Sequence, residues 1–169
     1  MGKSGEFRTF TLSNKHLLFK MERFIGNMDA KADEKGRVFV PVTFRRILQT
    51  AGETHLVLRK DIFQDCLIVY PESVWNNELD ELREKLNKWD EEQQQLFRQF
   101  SLEAEIVEID SNGRILISKK YLQLAKITKD MRFVGMNNTI EIWNKEILEK
   151  SSLSPASLKE NVKKYLGSK

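Results

Sequence analysis

An apolar run with the two-residue period of a strand follows the charged turn in "DEKGRVFVP", residues 33 to 41, and again in "DSNGRILIS", residues 110 to 118. Period-two alternation predicts a half-buried strand, with Val38 and Val40 on one face. In both copies a Gly-Arg pair follows an Asp by three residues, and Gly36 and Gly113 stand where a tight hairpin needs positive φ. Upstream, "RFIGNMDAKA" predicts a strand leading into the turn "DEKG". Pro41 ends the first strand, because proline cannot continue a ladder. "TFRRILQTA" then predicts a short helix with Phe44, Ile47 and Leu48 inward and Gly52 as its stop. "HLVLRK" and "CLIVY" predict two more strands around "DIFQD". The second copy repeats the order: "AEIVEID", a turn, "RILIS", the helix "KKYLQLA", then "MRFVGM" and "TIEIW". The turns are offset by 77 residues and the final strands by 73, a difference that loops absorb. The chain is therefore an internal duplication of a β-β-α-β-β unit, an α+β fold that is mainly β.

Between the copies the pattern changes to three- and four-residue steps. Trp75, Leu79, Leu82, Leu86, Trp89, Leu96 and Phe100 form one apolar stripe, which predicts helix. Asp90 followed by Gln93 has the spacing of a capping box and predicts a break into two helices. In the tail, Ser154 caps and Pro155 opens a further helix whose stripe is Leu158, Val162, Tyr165 and Leu166, read as a packing helix in preference to a DNA arm carrying Lys159, Lys163 and Lys164. The expected divisions are a leader at 1–20, a first repeat with its helical extension at 21–100, a second repeat at 101–149 and a basic helical tail at 150–169. The reading from strand pattern begins only near Met21, so either the true start is there or the leader is a loose arm.

Composition adds three things. The chain has 169 residues and a net charge of +3, but residues 72 to 100 carry −4, which leaves +7 on the rest. Segregated charge makes the intervening helices an unsuitable nucleic-acid face. A single cysteine, Cys66 within "CLIVY", excludes an internal disulfide framework and reads as a small core residue in a reducing cytoplasm. No run approaches the roughly 18 apolar residues of a membrane span.

Catalytic chemistry finds little to stand on. The two histidines are far apart, at 16 and 55, and neither metal-ligand spacing nor a phosphate-binding loop occurs. No cofactor is expected. Asp33 and Asp110 each have an arginine four residues on, Arg37 and Arg114, which would hold the carboxylate ionised. Such a pair can lock a turn or join one hairpin to its duplicate. Alternatively, Arg37 contacts phosphate or a base edge. Only the first copy adds a larger basic cluster, Lys31, Lys35, Arg37, Arg45 and Arg46, whereas the second has Lys119 and Lys120. The shared Asp33, Gly36, Asp110, Gly113 and Arg114 read as structural, and the added cations either weight the first copy toward binding, with DNA as the candidate partner, or form a solvated surface.

The succession "RFIGNMDAKADEKGRVFVPVTFR", "LIVYPESVW", "DSNGRILIS" and "RFVGMNNTIEIWN" resembles the MraZ family of bacterial transcriptional regulators. The resemblance covers about residues 21 to 149. It implies a swapped-hairpin fold of the AbrB and SpoVT type, with two halves of one chain forming a pseudo-dimeric barrel and helices outside. It also implies ring-shaped homo-oligomers in the cytoplasm, associated with the nucleoid. Their target would be double-stranded DNA, at promoter repeats upstream of their own operon in the division and cell-wall gene cluster. The family's motif arginine maps to Arg37 and Arg114, and that of its Pro-x-x-Phe-Arg to Arg45. The second copy has Ser118 and Leu122 in the places of Pro41 and Arg45. The other reading is an antitoxin-like or scaffold protein whose barrel mainly binds a protein partner.

Overall fold

The structure is a computed structural model that describes residues 22–167, so the leader lies outside the described residues. In chain order the first half holds β1 (Asn27–Lys31), β2 (Arg37–Phe39), α1 (Val42–Thr50), β3 (His55–Lys60) and β4 (Cys66–Pro71). Two helices follow, α2 (Glu72–Lys85) and α3 (Glu91–Leu102). The second half holds β5 (Glu105–Glu108), β6 (Arg114–Leu116), α4 (Lys119–Leu124), β7 (Asp130–Met136) and β8 (Thr139–Trp143), and the chain ends in α5 (Lys145–Ser151) and α6 (Pro155–Leu166).

The strands form a six-stranded antiparallel sheet in the order β1-β7-β8-β4-β3-β5 and a two-stranded ribbon of β2 and β6. Exchanging each strand for its duplicate turns that order into its own reverse. The arrangement is therefore pseudo-two-fold, and the register locates the axis. Val38 pairs with Ile115, its own equivalent at the 77-residue offset, and Ile68 pairs with Glu141, its equivalent at 73. The duplicated fold is thus α+β with a mainly β core, a pseudo-dimer within one chain.

The local hairpin reading needs one correction. The turn at 33–37 does close, with Asp33 N–H donating to the Arg37 carbonyl at 2.9 Å and Gly36 N–H to the Asp33 carbonyl at 3.0 Å. The strands on either side then separate: β1 pairs with β7, and β2 with β6. Alternation dictates which face of a strand is buried, but it leaves the choice of neighbour open. Here the neighbour comes from the other copy.

The main core lies between ribbon and sheet. Val38 and Ile115 point into it together with Phe24, Phe44, Leu48, Leu58, Phe133 and Ile142. Phe24 meets Phe44 edge to face at 5.5 Å between ring centroids, and each such side chain contributes roughly 1.5–3 kcal/mol by leaving water. Cys66 is fully buried in β4, and that burial pushes its thiol far above the ordinary range. Its reading as a core residue stands.

A second cluster lies under α2 and α3, built on Val57, Tyr70, Val74 and Trp75. Trp75 stacks on Phe100 at 5.3 Å, and the Arg59 guanidinium carbon lies 3.8 Å from the Phe100 ring centre. Arg59 is 2% exposed, with its nearest carboxylate, Glu103, at 3.7 Å. Removing the ring would strand a buried cation as well as open a cavity. Phe100→Ala is therefore expected to cost about 3 kcal/mol, by the cavity and lost-partner mechanisms together. Thermal denaturation measures it, with Leu96→Ala on the exposed side as the near-silent comparison.

The two-helix break is present: Asp90 caps α3 by accepting the Gln93 N–H at 3.0 Å. The Gln93 side chain accepts instead from Asn87 N–H, at 2.6 Å. The single stripe is corrected, since Trp89 is 86% exposed and Leu96 54%. A chain that reverses at residues 86–90 cannot keep one helical face on the sheet across the break. Trp75 and Trp143 are core residues and Trp89 is not. The tail helix α6 is capped as expected, with Ser154 Oγ accepting from Ser157 N–H. It buries no residue against this chain, which corrects its reading as a packing helix within the fold.

Candidate nucleic-acid interface

The two Asp-Gly-Arg turns have the same construction. One carboxylate oxygen of Asp33 accepts the Lys35 and Arg37 backbone N–H groups, both at 2.9 Å, and the other accepts Arg37 Nε at 2.7 Å. In the second copy Asp110 accepts from Asn112 N–H, Arg114 N–H and Arg114 Nε, each at 2.9 Å. Gly36 and Gly113 complete the turns at φ values of 90° and 87°. Each arginine uses Nε in this bond, so its terminal nitrogens are left out of the pair. The aspartate thus orients a guanidinium as well as closing a turn.

The carboxyls of Asp33 and Asp110 are held below the ordinary aspartate value of 3.8, first by the backbone N–H of the paired arginine and then by its guanidinium. A lowered value in the fold means a contribution that is present above that pH and lost as pH falls through the folded value. The stability gap between wild type and the Asp33→Asn, Asp110→Asn double variant is accordingly expected to be complete at pH 7. It should begin to shrink as pH falls below about 3.8, where the unfolded carboxyls protonate, and close only below the lowered folded values, where the wild-type carboxyls are protonated too. Urea unfolding at a series of pH values measures it, and a gap independent of pH would refute the charge-based account.

The exchange of strands carries Arg45 across the duplication. It extends from α1 of the first copy to the turn of the second, with Nη1 3.4 Å from the Asn112 carbonyl. A Cβ added at Gly113 would stand 2.8 Å from Arg45 Cδ and Cζ, so only glycine lets the arginine lie there. Arg45, Arg46, Val42 and Gln49 line one side of a groove of about 520 Å³, and residues 110–113 line the other. The pseudo-two-fold mate is a groove of about 480 Å³, between the first turn (Asp33, Glu34, Gly36) and Lys119, Leu122, Gln123 and Lys129 of the second copy. Leu122 takes the place of Arg45 there, its Cδ1 3.7 Å from where a Cβ on Gly36 would be.

The five-cation cluster read along the chain is therefore divided. Arg45 and Arg46 join the second turn, whereas Lys35 and Arg37 stay with the first. Lys31 sits on β1 within 3.8 Å of Asp130 and is partly neutralised. Lys129 is the cation the linear reading missed, because nothing in its local sequence places it beside residue 33. Asn112, the partner of Arg45, was missed for the same reason.

Between the grooves, the ribbon presents one outward face. Arg37 pairs with Leu116 and Phe39 with Arg114 across the register, and paired residues of an antiparallel ladder share a face. The Arg114 guanidinium carbon lies 5.9 Å from the Phe39 ring centre. Among the described residues, no three His, Cys, Asp or Glu side chains assemble into a group that could hold a metal ion, and no helix is long and apolar enough to cross a membrane.

A family model described as "MraZ protein, putative antitoxin-like" matches the chain twice, over residues 24–98 and 100–164. The transcriptional regulator MraZ of Bacteroides fragilis is 56% identical over 147 residues, 85% of this chain and 93% of the relative. That of Bacteroides thetaiotaomicron is 58% identical over 135 residues, 80% of this chain and 86% of the relative. That of Phocaeicola vulgatus is 51% identical over 145 residues, 86% and 94% of the two chains. With both halves matched in sequence and related by a pseudo-two-fold axis in space, the chain belongs to the MraZ family.

Proposed function

We propose that this protein is a transcriptional regulator that binds double-stranded DNA sequence-specifically through the ribbon face and the two flanking grooves. The observation that carries the reading is the placement of Arg45 and Arg46 against the second turn, beside the duplicated, aspartate-oriented arginines. The names of the MraZ relatives, transcriptional regulators, support it. Lys35, Arg45, Arg46 and Lys119 serve mainly as phosphate contacts that fix register, and Arg37 and Arg114 stand between them as candidates for base edges. The targets are repeats upstream of its own operon in the division and cell-wall gene cluster, engaged in the cytoplasm at the nucleoid.

A few cations on one copy would bind weakly, and an assembly of copies, a ring in this reading, would engage spaced repeats by effective concentration. The exposed stripe of α6 and the exposed Trp89 are surfaces suited to such assembly. The test is fluorescence anisotropy with duplex from upstream of the protein's own gene against a scrambled duplex, across a salt series. Tighter binding to the native duplex is expected, with log affinity falling steeply against log salt. Arg37→Ala is expected to weaken it more than Arg114→Ala, since the Arg37 side chain is the more exposed, at 37% against 24%. Equal, weak binding to both duplexes, with a protein partner co-purifying in stoichiometric amount, would instead favour the antitoxin-like or scaffold role.

A further inference from the structure

The ribbon departs from its own binary pattern at one position in each copy. Val38 and Ile115 face the core and are each 1% exposed. The next residues outward ought to be polar if they only met water. They are Phe39 and Leu116, at 57% and 56% exposed, and they are equivalent across the 77-residue offset. The same departure in both halves is not the scattered surface leucine that needs no explanation. Both side chains share a face with Arg37 and Arg114, so the ribbon shows a small apolar centre bracketed by two oriented guanidiniums.

The charge on that face selects its occupant. Two arginines beside an apolar pair suit an anionic surface that also offers a methyl group, and DNA supplies both. The major groove is about 12 Å wide and admits a two-stranded β-ribbon, and its one apolar feature is the C5-methyl of thymine. We infer that Phe39 and Leu116 are specificity-determining residues that pack on thymine methyl groups on the major-groove floor, while Arg37 and Arg114 engage the neighbouring guanine edges or phosphates. This rests on the DNA-binding reading above. The ring of Phe39 and the shorter Leu116 would then read two related but unequal half-sites.

The experiment uses the full chain and the same upstream duplex in two forms, one ordinary and one with every thymine replaced by deoxyuridine, which deletes the methyl and keeps base pairing. Wild type is expected to bind the deoxyuridine duplex about four-fold more weakly per methyl buried, taking a methyl as one methylene's worth of transfer. The Phe39→Ser, Leu116→Ser variant should bind the thymine duplex more weakly and no longer distinguish the two forms. Its melting temperature and elution volume serve as controls for fold and assembly. Wild type that binds both forms equally, yet still prefers them to scrambled DNA, overturns this inference and leaves DNA binding intact. A variant that keeps full sensitivity to the methyl groups also overturns it, by placing the readout elsewhere. A variant with unchanged DNA binding but altered elution volume makes the face a protein contact. Failure of wild type to prefer native over scrambled duplex strikes the DNA reading itself.

Discussion

Gly36→Ala is expected to lower the melting temperature by about 8–16 °C, from a loss of about 4 kcal/mol in a chain of this size. Two costs combine. A left-handed conformation costs a non-glycine residue roughly 1–2 kcal/mol, and Gly36 sits at φ 90°. The new Cβ would also overlap the carbonyl oxygen of Ile117, which is backbone and cannot rotate away. Relief requires the ribbon to shift, which strains the bond from Ile117 N–H to the Gly36 carbonyl, now 2.9 Å. Gly52→Ala isolates the first cost: its φ is 71° and nothing lies within 4 Å of the added carbon. That variant should lose only about 1–2 kcal/mol. Calorimetry on both separates backbone conformation from interlock between the copies, and equal losses would show that the close approach contributes nothing.

Replacing Arg45 and Arg46 together with alanine should reduce affinity for the upstream duplex on the order of 100-fold, taking about 1.5 kcal/mol for each charge-assisted hydrogen bond lost. The slope of log affinity against log salt should become shallower by about 2, near one unit for each phosphate contact removed. Discrimination against scrambled DNA should change much less, because phosphate contacts position the protein without reading sequence. Arg46 is exposed and Arg45 half-buried, so folding should survive the change. An unaltered salt slope would remove both residues from the interface, whatever happened to affinity.

Much of this molecule is legible in its sequence, and the illegible part has a physical pattern. Repeated Asp-x-x-Gly-Arg gave away two turns of the same construction, because only glycine accepts their φ and only an acceptor at that spacing reaches both N–H groups. Asp90 marked a helix start for the same local reason. Everything misread depends on partners distant in the chain. Nothing near residue 45 says that its arginine will lie on residues 112 and 113, and alternation in β1 cannot announce β7 as its neighbour. The stripe that includes Trp89 reaches the sheet through Trp75 and Phe100 and fails at the reversal and at Leu96, because one helical face cannot be kept across the break. The same pattern explains α6, whose amphipathic face is evident while this chain offers it no surface.

The exchanged strands also set an order of assembly. Met28 pairs with Phe133 and Asn27 with Val134, more than a hundred residues apart. During synthesis β1 and β2 emerge long before β7 and β6, and no earlier segment can take their places. The first half must therefore wait on the ribosome with β1 and β2 unpaired and the outer edges of β3 and β4 open, a state prone to pairing with another nascent copy. Contacts so remote in sequence also favour slow folding. The acidic helical pair, standing between the halves in the chain, completes the strand-facing cluster of the first half while it waits.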